Sequence, residues 1–504
     1  NKGVKKMSAI ITEKFRQHNA DQFVESFTEA AASAYYLFLG KSTGFTSSTT
    51  GGTDSSPPTP ADSVKDEAFA WDSMLGAKLI SSSDIKNSIP RRNWVNGTIY
   101  DMYEHDISAT NTSTSGSSNL YDSTFYFVTS DYKVYKVLDN NSGTAYSGSE
   151  PTSTSTSPFA LGGYILKYMY SISTSDFAKY GTSDFIPVVT DSTVSTNAVD
   201  GKIESLFITA GSGYTNGTYF AAVYGDGTSQ GTSSGAVVRI TISGGTIISF
   251  GLAAGTDTTI NSAGAGYTFG YVNLGATFTF SDSALTSASS IGSGSGGAIN
   301  VITSPKGGHG FNAVTELGGH YVMAAITLTQ AEGDDFTTAN DFRTVGLVVN
   351  PTNFGTTTVA SDTTRRQTYV VRLDTNTGTF DADEVITQAS TGAVGKVVEW
   401  DTLLSLLYYQ QESYKGFGTS ASTGGYVAFS GTNTITGGTS GITGTTTGTS
   451  ETLTLTNNGT ITLASGYATP ELAADSGNIL YLENRKPIQR ASDQTEDIKI
   501  IIEF

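Results

Sequence analysis

The stretch STFYFVTSDYKVYKVLD, residues 123–139, alternates apolar and polar side chains on either side of a short polar break. A period of two places successive side chains on opposite faces of an extended chain, so this stretch belongs in pleated sheet and not in a helix. Phe125, Phe127 and Val128 precede a turn at Ser130 and Asp131, and Tyr132, Val134 and Tyr135 follow it. The reading is a β-hairpin with aromatic cross-strand pairs. YILKYMYSI, residues 164–172, carries the same strand character, and the Ser/Thr-rich run 142–158 is the connecting loop.

The rest of the chain extends this β reading. At 504 residues it is too long for one ordinary core, which implies roughly two to four domains. Glycine is abundant, at 57 residues, and only 15% of residues are charged. Disorder needs few aromatics and a high charge fraction, whereas 26 Tyr and 25 Phe point to a folded β protein with long polar loops. A formal net charge of −18 argues against nucleic acid as a partner and fits selection of basic partner surfaces. With no cysteine, disulfides and thiolate metal sites are excluded. No apolar run reaches the roughly 18 residues of a membrane span, and no secretory core is evident. The expectation is a protein made in a cytoplasm, or assembled there into something larger. The basic start NKGVKK, ahead of Met7, reads as a frayed end, an alternative start or an added segment.

Two helices are predicted near the N-terminus. In the first, around 10–27, Phe15, Phe23, Val24 and Phe27 share a face, with a lapse near His18 and Asn19. The second opens at Asp62 and Ser63 as caps, carries Asp66 and Glu67 in its first turn, and spaces Val64, Ala68, Trp71 and Leu75 helically, with Met74 alongside. Between them AYYLFLG, residues 34–40, reads as a buried strand stopped by glycine, and 41–60 as a loop. Pro90 forces Ile89 out of helical geometry. Further on, G-x-G-Y-T occurs twice, with its tyrosines at Tyr214 and Tyr267, and marks a small β module with internal symmetry. Residues 282–299 read as a Ser/Gly linker. Residues 363–475 form another run of short strands and glycine turns.

Several motifs stand in a fixed order: KFR at 14–16, a PPxPxDSV-like run at 57–64, IPRRNW at 89–94, FR then an apolar strand and NP at 342–351, and YLENRKPI with DQTE at 481–488 and 493–496. In that order they resemble the baseplate wedge subunit of contractile-tailed, T-even-type phages, the family of the eighth gene product. The likeness covers roughly 8–190, 305–355 and 476–504. It implies a mainly β fold, a multi-layer β-sandwich core with a few helices in its loops. Two small β-rich domains are inserted into that core. The division expected is 1–199, 305–362 and 476–504 as wedge core, with inserts at 200–304 and 363–475. The resemblance further implies a homodimer contacting other wedge proteins in the virion tail baseplate, no enzymatic activity and no cofactor. Large interfaces should hide part of the aromatic excess. A trimeric receptor- or glycan-binding fibre or spike is the alternative, and the inserts are where a glycan contact would fall.

The motif residues expected to carry structure or interface are Arg91, Arg92, Trp94, Phe342, Arg343, Glu483, Asn484, Arg485, Pro487, Asp493, Gln494 and Glu496. Arg91 and Arg92 can grip a partner's carboxylate or tie internally to Glu483, Asp493 or Glu496; the internal tie is favoured because buried arginines are normally paired. His309, in KGGHGFN, is expected to be a turn histidine, since no P-loop pattern surrounds it and only four histidines exist. LDTNTGTFDADE, at 373–384, departs from EF-hand spacing and reads as a solvated turn. Glycoside-hydrolysing carboxylate pairs are decided by separation in space, which counting does not give.

Overall fold

The computed structural model describes residues 12–29, 32–46, 51–232, 234–275, 290–338, 340–413 and 426–504. The protein is mainly β, with 40% strand, 10% helix and several antiparallel sheets. It divides into two compact units: one of residues Asn1–Val24, Lys86–Met323 and Ile501–Phe504, the other of Glu25–Ile85 and Ala324–Ile500. The KFR segment therefore falls in one unit with the last residues of the chain, and IPRRNW shares that unit.

In the first unit the expected hairpin is present. Tyr126–Val128 pairs with Lys133–Asp139, which pairs in turn with Tyr164–Ser171, and Phe159–Leu161 closes the sheet. Tyr126, Phe127, Tyr135, Tyr164 and Tyr170 are all buried on or beside it. A buried phenol needs a hydrogen-bond partner, and the 142–158 loop supplies several as backbone carbonyls. Tyr164 donates to Thr144 O (2.8 Å), Tyr146 to Ser149 O (2.9 Å) and Tyr135 to Ser153 O (2.8 Å). A polar, irregular loop is thus pinned by the core it covers. A good part of the tyrosine excess is spent inside the unit in this way, without recourse to interfaces.

The doubled motif is also a doubled structure. In each copy a strand leads in (Ser205–Ser212, Thr259–Ala263), the G-x-G-Y-T turn follows, and two more strands complete the copy: Gly217–Gly225 and Ala236–Ser243 in the first, Gly270–Val272 and Ser295–Ile302 in the second. The middle strands of the copies pair with each other. Each leading strand pairs with the closing strand of the other copy, Ala210 facing Gly297 and Ala263 facing Ala236. The two copies are therefore strand-exchanged about a local pseudo-two-fold. The tyrosines lock it: Tyr214 Oη accepts from Gly297 N (2.9 Å) and Tyr267 Oη from Ala236 N (3.1 Å). The glycines repeat their conformations, with φ of 61° and 77° at Gly211 and Gly213 and 59° and 74° at Gly264 and Gly266. Residues 295–302 belong to this sheet, which corrects the linker reading; the part of it at 282–289 lies outside the described residues. The glycines there serve close approach, since a Cβ on Gly297 would sit 2.6 Å from the Tyr214 hydroxyl.

The second unit contains a five-stranded sheet in the order Thr364–Arg366, Met74–Leu79, Tyr35–Gly40, Asp341–Val349, Asn478–Gln489. Tyr35–Gly40 is buried along its whole length, as its apolar run predicts. The helix Val64–Ser73 is capped by Ser63, whose hydroxyl accepts from Asp66 N (3.2 Å). It buries Ala68, Ala70 and Trp71 while Val64 is exposed, and Met74 and Leu75 already belong to the next strand. An eight-stranded sheet, drawn from residues between 369 and 468, packs its own core of Val371, Phe380, Ile386, Val397, Leu407 and Tyr409. The first helix, Glu13–Glu25, buries Gln17 and Ala20 and leaves Phe15 exposed, so its inner face is not the phenylalanine stripe.

A methyl at Gly211 would require φ of 61° of an L side chain and would lie 2.4 Å from Gly297 N. Gly211→Ala is expected to destabilise the first unit by about 1–3 kcal/mol in chemical denaturation. Gly97→Ala, at φ of 82° with open space around it, is expected to cost about 1 kcal/mol.

Candidate functional site

The singled-out residues fall into distinct local settings. Arg91 donates to Thr182 O (2.9 Å) and Asn93 Oδ1 (2.8 Å) and stacks on Phe177; Arg92 donates to Tyr121 O (2.8 Å) and lies over the Tyr126 ring, 4.5 Å from its centroid. Trp94 meets Tyr146 edge-on at 5.8 Å. Within this unit, then, the two guanidinium groups donate to backbone carbonyls and to the Asn93 side chain, partners that no sequence pattern advertises. Chain ends do meet in this unit through another arginine. Arg16, of the KFR motif, pairs with Glu503 and donates to Phe504 O, and Phe23 packs on Phe504 at 5.3 Å.

In the second unit, Phe342 and Arg343 enter the central strand Asp341–Val349 and both are buried. The Arg343 fork bonds Asp54 through Nε and Nη2 (2.9 Å each) and Asp341 through Nη1 and Nη2 (2.7 and 2.9 Å), and reaches the carbonyl of Ser42. Burial opposes the Arg343 charge, but the two carboxylates outweigh it and its pKa is raised. The Arg343 hydrogen bond in turn holds the Asp54 carboxyl below its ordinary value. Asn484 bridges Thr344 Oγ1 (2.9 Å) and Pro58 O (3.0 Å), joining the YLENR and PPxP motifs.

The 481–496 stretch separates buried from exposed residues. Phe342 faces Ile488 and Thr344 faces Asn484, so Arg485, Lys486 and Pro487 form a bulge in the edge strand Asn478–Gln489. Proline suits this place because an edge bulge spares it a ladder hydrogen bond. The strand thus runs through residues 485–487, and the turn comes afterwards, at 490–494. Arg485, Lys486 and Pro487 are exposed, as are Asp493 and Gln494. Glu483 pairs with Arg485 (3.1 Å) and accepts from Tyr481 Oη (2.6 Å). Glu496 is buried and bonded by Arg490 (3.2 Å), which also donates to Thr337 O (2.6 Å) and Gln330 O (2.7 Å). Arg490 was missed from sequence; an arginine and a glutamate flanking one turn were the available signal.

His309 lies in the glycine-rich loop but is only 1% exposed, and neither ring nitrogen has a hydrogen-bond partner among the described residues. It meets Tyr103 edge-on at 5.0 Å, near the buried Lys136–Glu316 pair. Burial first, then Lys136, Lys167 and Lys202, push its pKa well below the ordinary histidine value. The 373–384 carboxylates are engaged locally: Asp374 accepts from Thr447 N (2.6 Å), and Glu384 from Thr439 N and Ser440 N (3.0 Å each). Among the described residues, no group of three or more His, Asp or Glu side chains could hold a metal ion. No helix among them is long and apolar enough to cross a membrane.

Comparison with known families supports a structural role in a phage tail baseplate. Residues 9–156 and 454–504 match the family described as Bacteriophage T4, Gp8, which supports the resemblance to the baseplate wedge proteins. That family's place in the baseplate implies interaction with other baseplate proteins. No curated protein matches the chain.

Because the folded state holds His309 neutral, its contribution to stability is complete above the free-imidazole value of about 6.5. Below that value the unfolded chain takes up a proton that the fold refuses, and the contribution is lost as pH falls. His309→Leu is therefore expected to gain stability relative to the parent as pH drops from 7 to 5. Urea denaturation of both proteins across that range checks it.

Proposed function

We propose that this chain joins neighbouring proteins within a baseplate wedge during assembly and keeps them joined through tail contraction, acting as a homodimer. The observation that carries the reading is the division within the family-matched 481–496 stretch. Asn484 and Glu496 tie the unit together, while Arg485, Lys486, Pro487, Asp493 and Gln494 face solvent. Rigid ties let a subunit transmit force without yielding, and exposed charges set which neighbour docks and how fast. The basic bulge at Arg485 and Lys486 is a local patch of opposite sign on a chain of net charge −18. It suits an acidic neighbouring surface, while the acidic remainder selects basic ones.

The work is holding, which needs no catalytic group. Assembly takes place in the host cytoplasm before the tail is complete. The modules at 200–304 and 363–475 add peripheral contacts particular to this virus.

Light scattering on the purified chain tests the self-pairing. A mass of twice 52.7 kDa is expected, from the commonest two-fold closure. A trimer would contradict the wedge reading and favour a fibre or spike; a monomer would contradict the self-pairing alone.

A further inference from the structure

The strand-exchanged module presents an exposed aromatic row across one face of its sheet. Tyr224 pairs directly with Tyr271, Tyr271 with Asn300, and Asn300 with Phe207. Direct cross-strand partners share a face, so these four side chains stand side by side over four strands, about 14 Å at the usual strand spacing. Tyr271 is 54% and Phe207 38% exposed, although the opposite face of these strands carries the module's core. The Tyr224 and Tyr271 rings are stacked, with centroids 5.8 Å apart and planes 27° from parallel. Phe269, two residues before Tyr271, is 55% exposed and extends the platform.

A patch of this kind on a polar surface calls for an occupant. No charged side chain stands in the row. Asp226, two residues beyond Tyr224, is already held by Thr268 N (2.9 Å), Thr268 Oγ1 (2.5 Å) and Phe269 N (3.2 Å). On a chain of net charge −18, a neutral strip does not match a charged partner. It matches a ligand with alternating C–H faces and hydroxyls. Electron-rich ring faces attract the weakly positive C–H edges of such a ligand, and the exposed Asn300 amide offers both donor and acceptor to its hydroxyls. We infer that Tyr224, Tyr271, Asn300 and Phe207 form a binding platform for a neutral oligosaccharide, laid across the strands with two or more sugar rings stacked. This site is independent of the wedge-joining role and stands or falls separately from it.

The test uses the full chain on an array of neutral hexose and N-acetylhexosamine oligosaccharides, with Tyr271→Ala and Phe207→Ala as variants and Phe354→Ala, an exposed ring in the other unit, as control. Both sites are exposed, so the melting temperature of each variant should match the parent. The expected result is retention of at least one oligosaccharide by the parent, weakened tenfold or more in both platform variants and unchanged in the control. Failure of the parent to bind any oligosaccharide would overturn the inference, as would binding indifferent to both substitutions. Loss of incorporation into wedges in the platform variants, without glycan binding by the parent, would reassign the row to a protein contact and equally overturn it.

Discussion

The fork of Arg343 is the constraint on which the second unit most depends. One guanidinium, 6% exposed, meets two carboxylates and the carbonyls of Lys41 and Ser42, so it gathers the end of one strand, a loop residue and its own strand at one point. Removing a charge from water is costly unless every donor is met, and a planar fork does that better than an ammonium. Asp54 and Asp341 are brought together by that cation and would repel without it. Since Asp341–Val349 is paired on both sides, to Tyr35–Gly40 and to Asn478–Gln489, its position sets the register of three strands.

The first unit reaches the same end by different means. Its buried pair, Lys136 with Glu316, is fully enclosed, and the carboxylate also accepts from Gly310 N (2.8 Å) and Asn312 N (3.2 Å). Burial pushes the Lys136 ammonium down from its ordinary pKa while Glu316 opposes the shift. Elsewhere in the unit, tyrosine hydroxyls fasten the 142–158 loop to the sheet. In both units, then, polar groups inside the fold fix loops that hydrophobic burial alone would leave in many arrangements.

What sequence could show was local. Alternation at 123–139 gave a hairpin whose strands pair as read, and Ser63 caps its helix because a hydroxyl next to a first turn has few other uses. The repeated G-x-G-Y-T turns share backbone angles because their glycines face the same close approach. The misses were long-range. Arg343 and Asp54 are 289 positions apart and Lys136 and Glu316 are 180 apart, and no spacing rule links them. Arg91 and Arg92 were assigned carboxylates, yet within their unit each donates to one backbone carbonyl, and Arg91 also to Asn93. Residues 295–299 looked like a flexible linker because the glycines that admit a tyrosine hydroxyl also resemble those of a free tether. The family, by contrast, was legible, since several short motifs in a fixed order carry more information than any one fold prediction.

Buried polar ties between distant segments, above all at Arg343, hold the second unit together. Calorimetric unfolding of Arg343→Met tests it most directly, because methionine nearly fills the volume and removes only the charge and its donors. The account predicts a loss of about 2 kcal/mol, confined to the transition of the unit that contains residue 343, with weakened incorporation into wedges. An unchanged transition, with assembly intact, would contradict it.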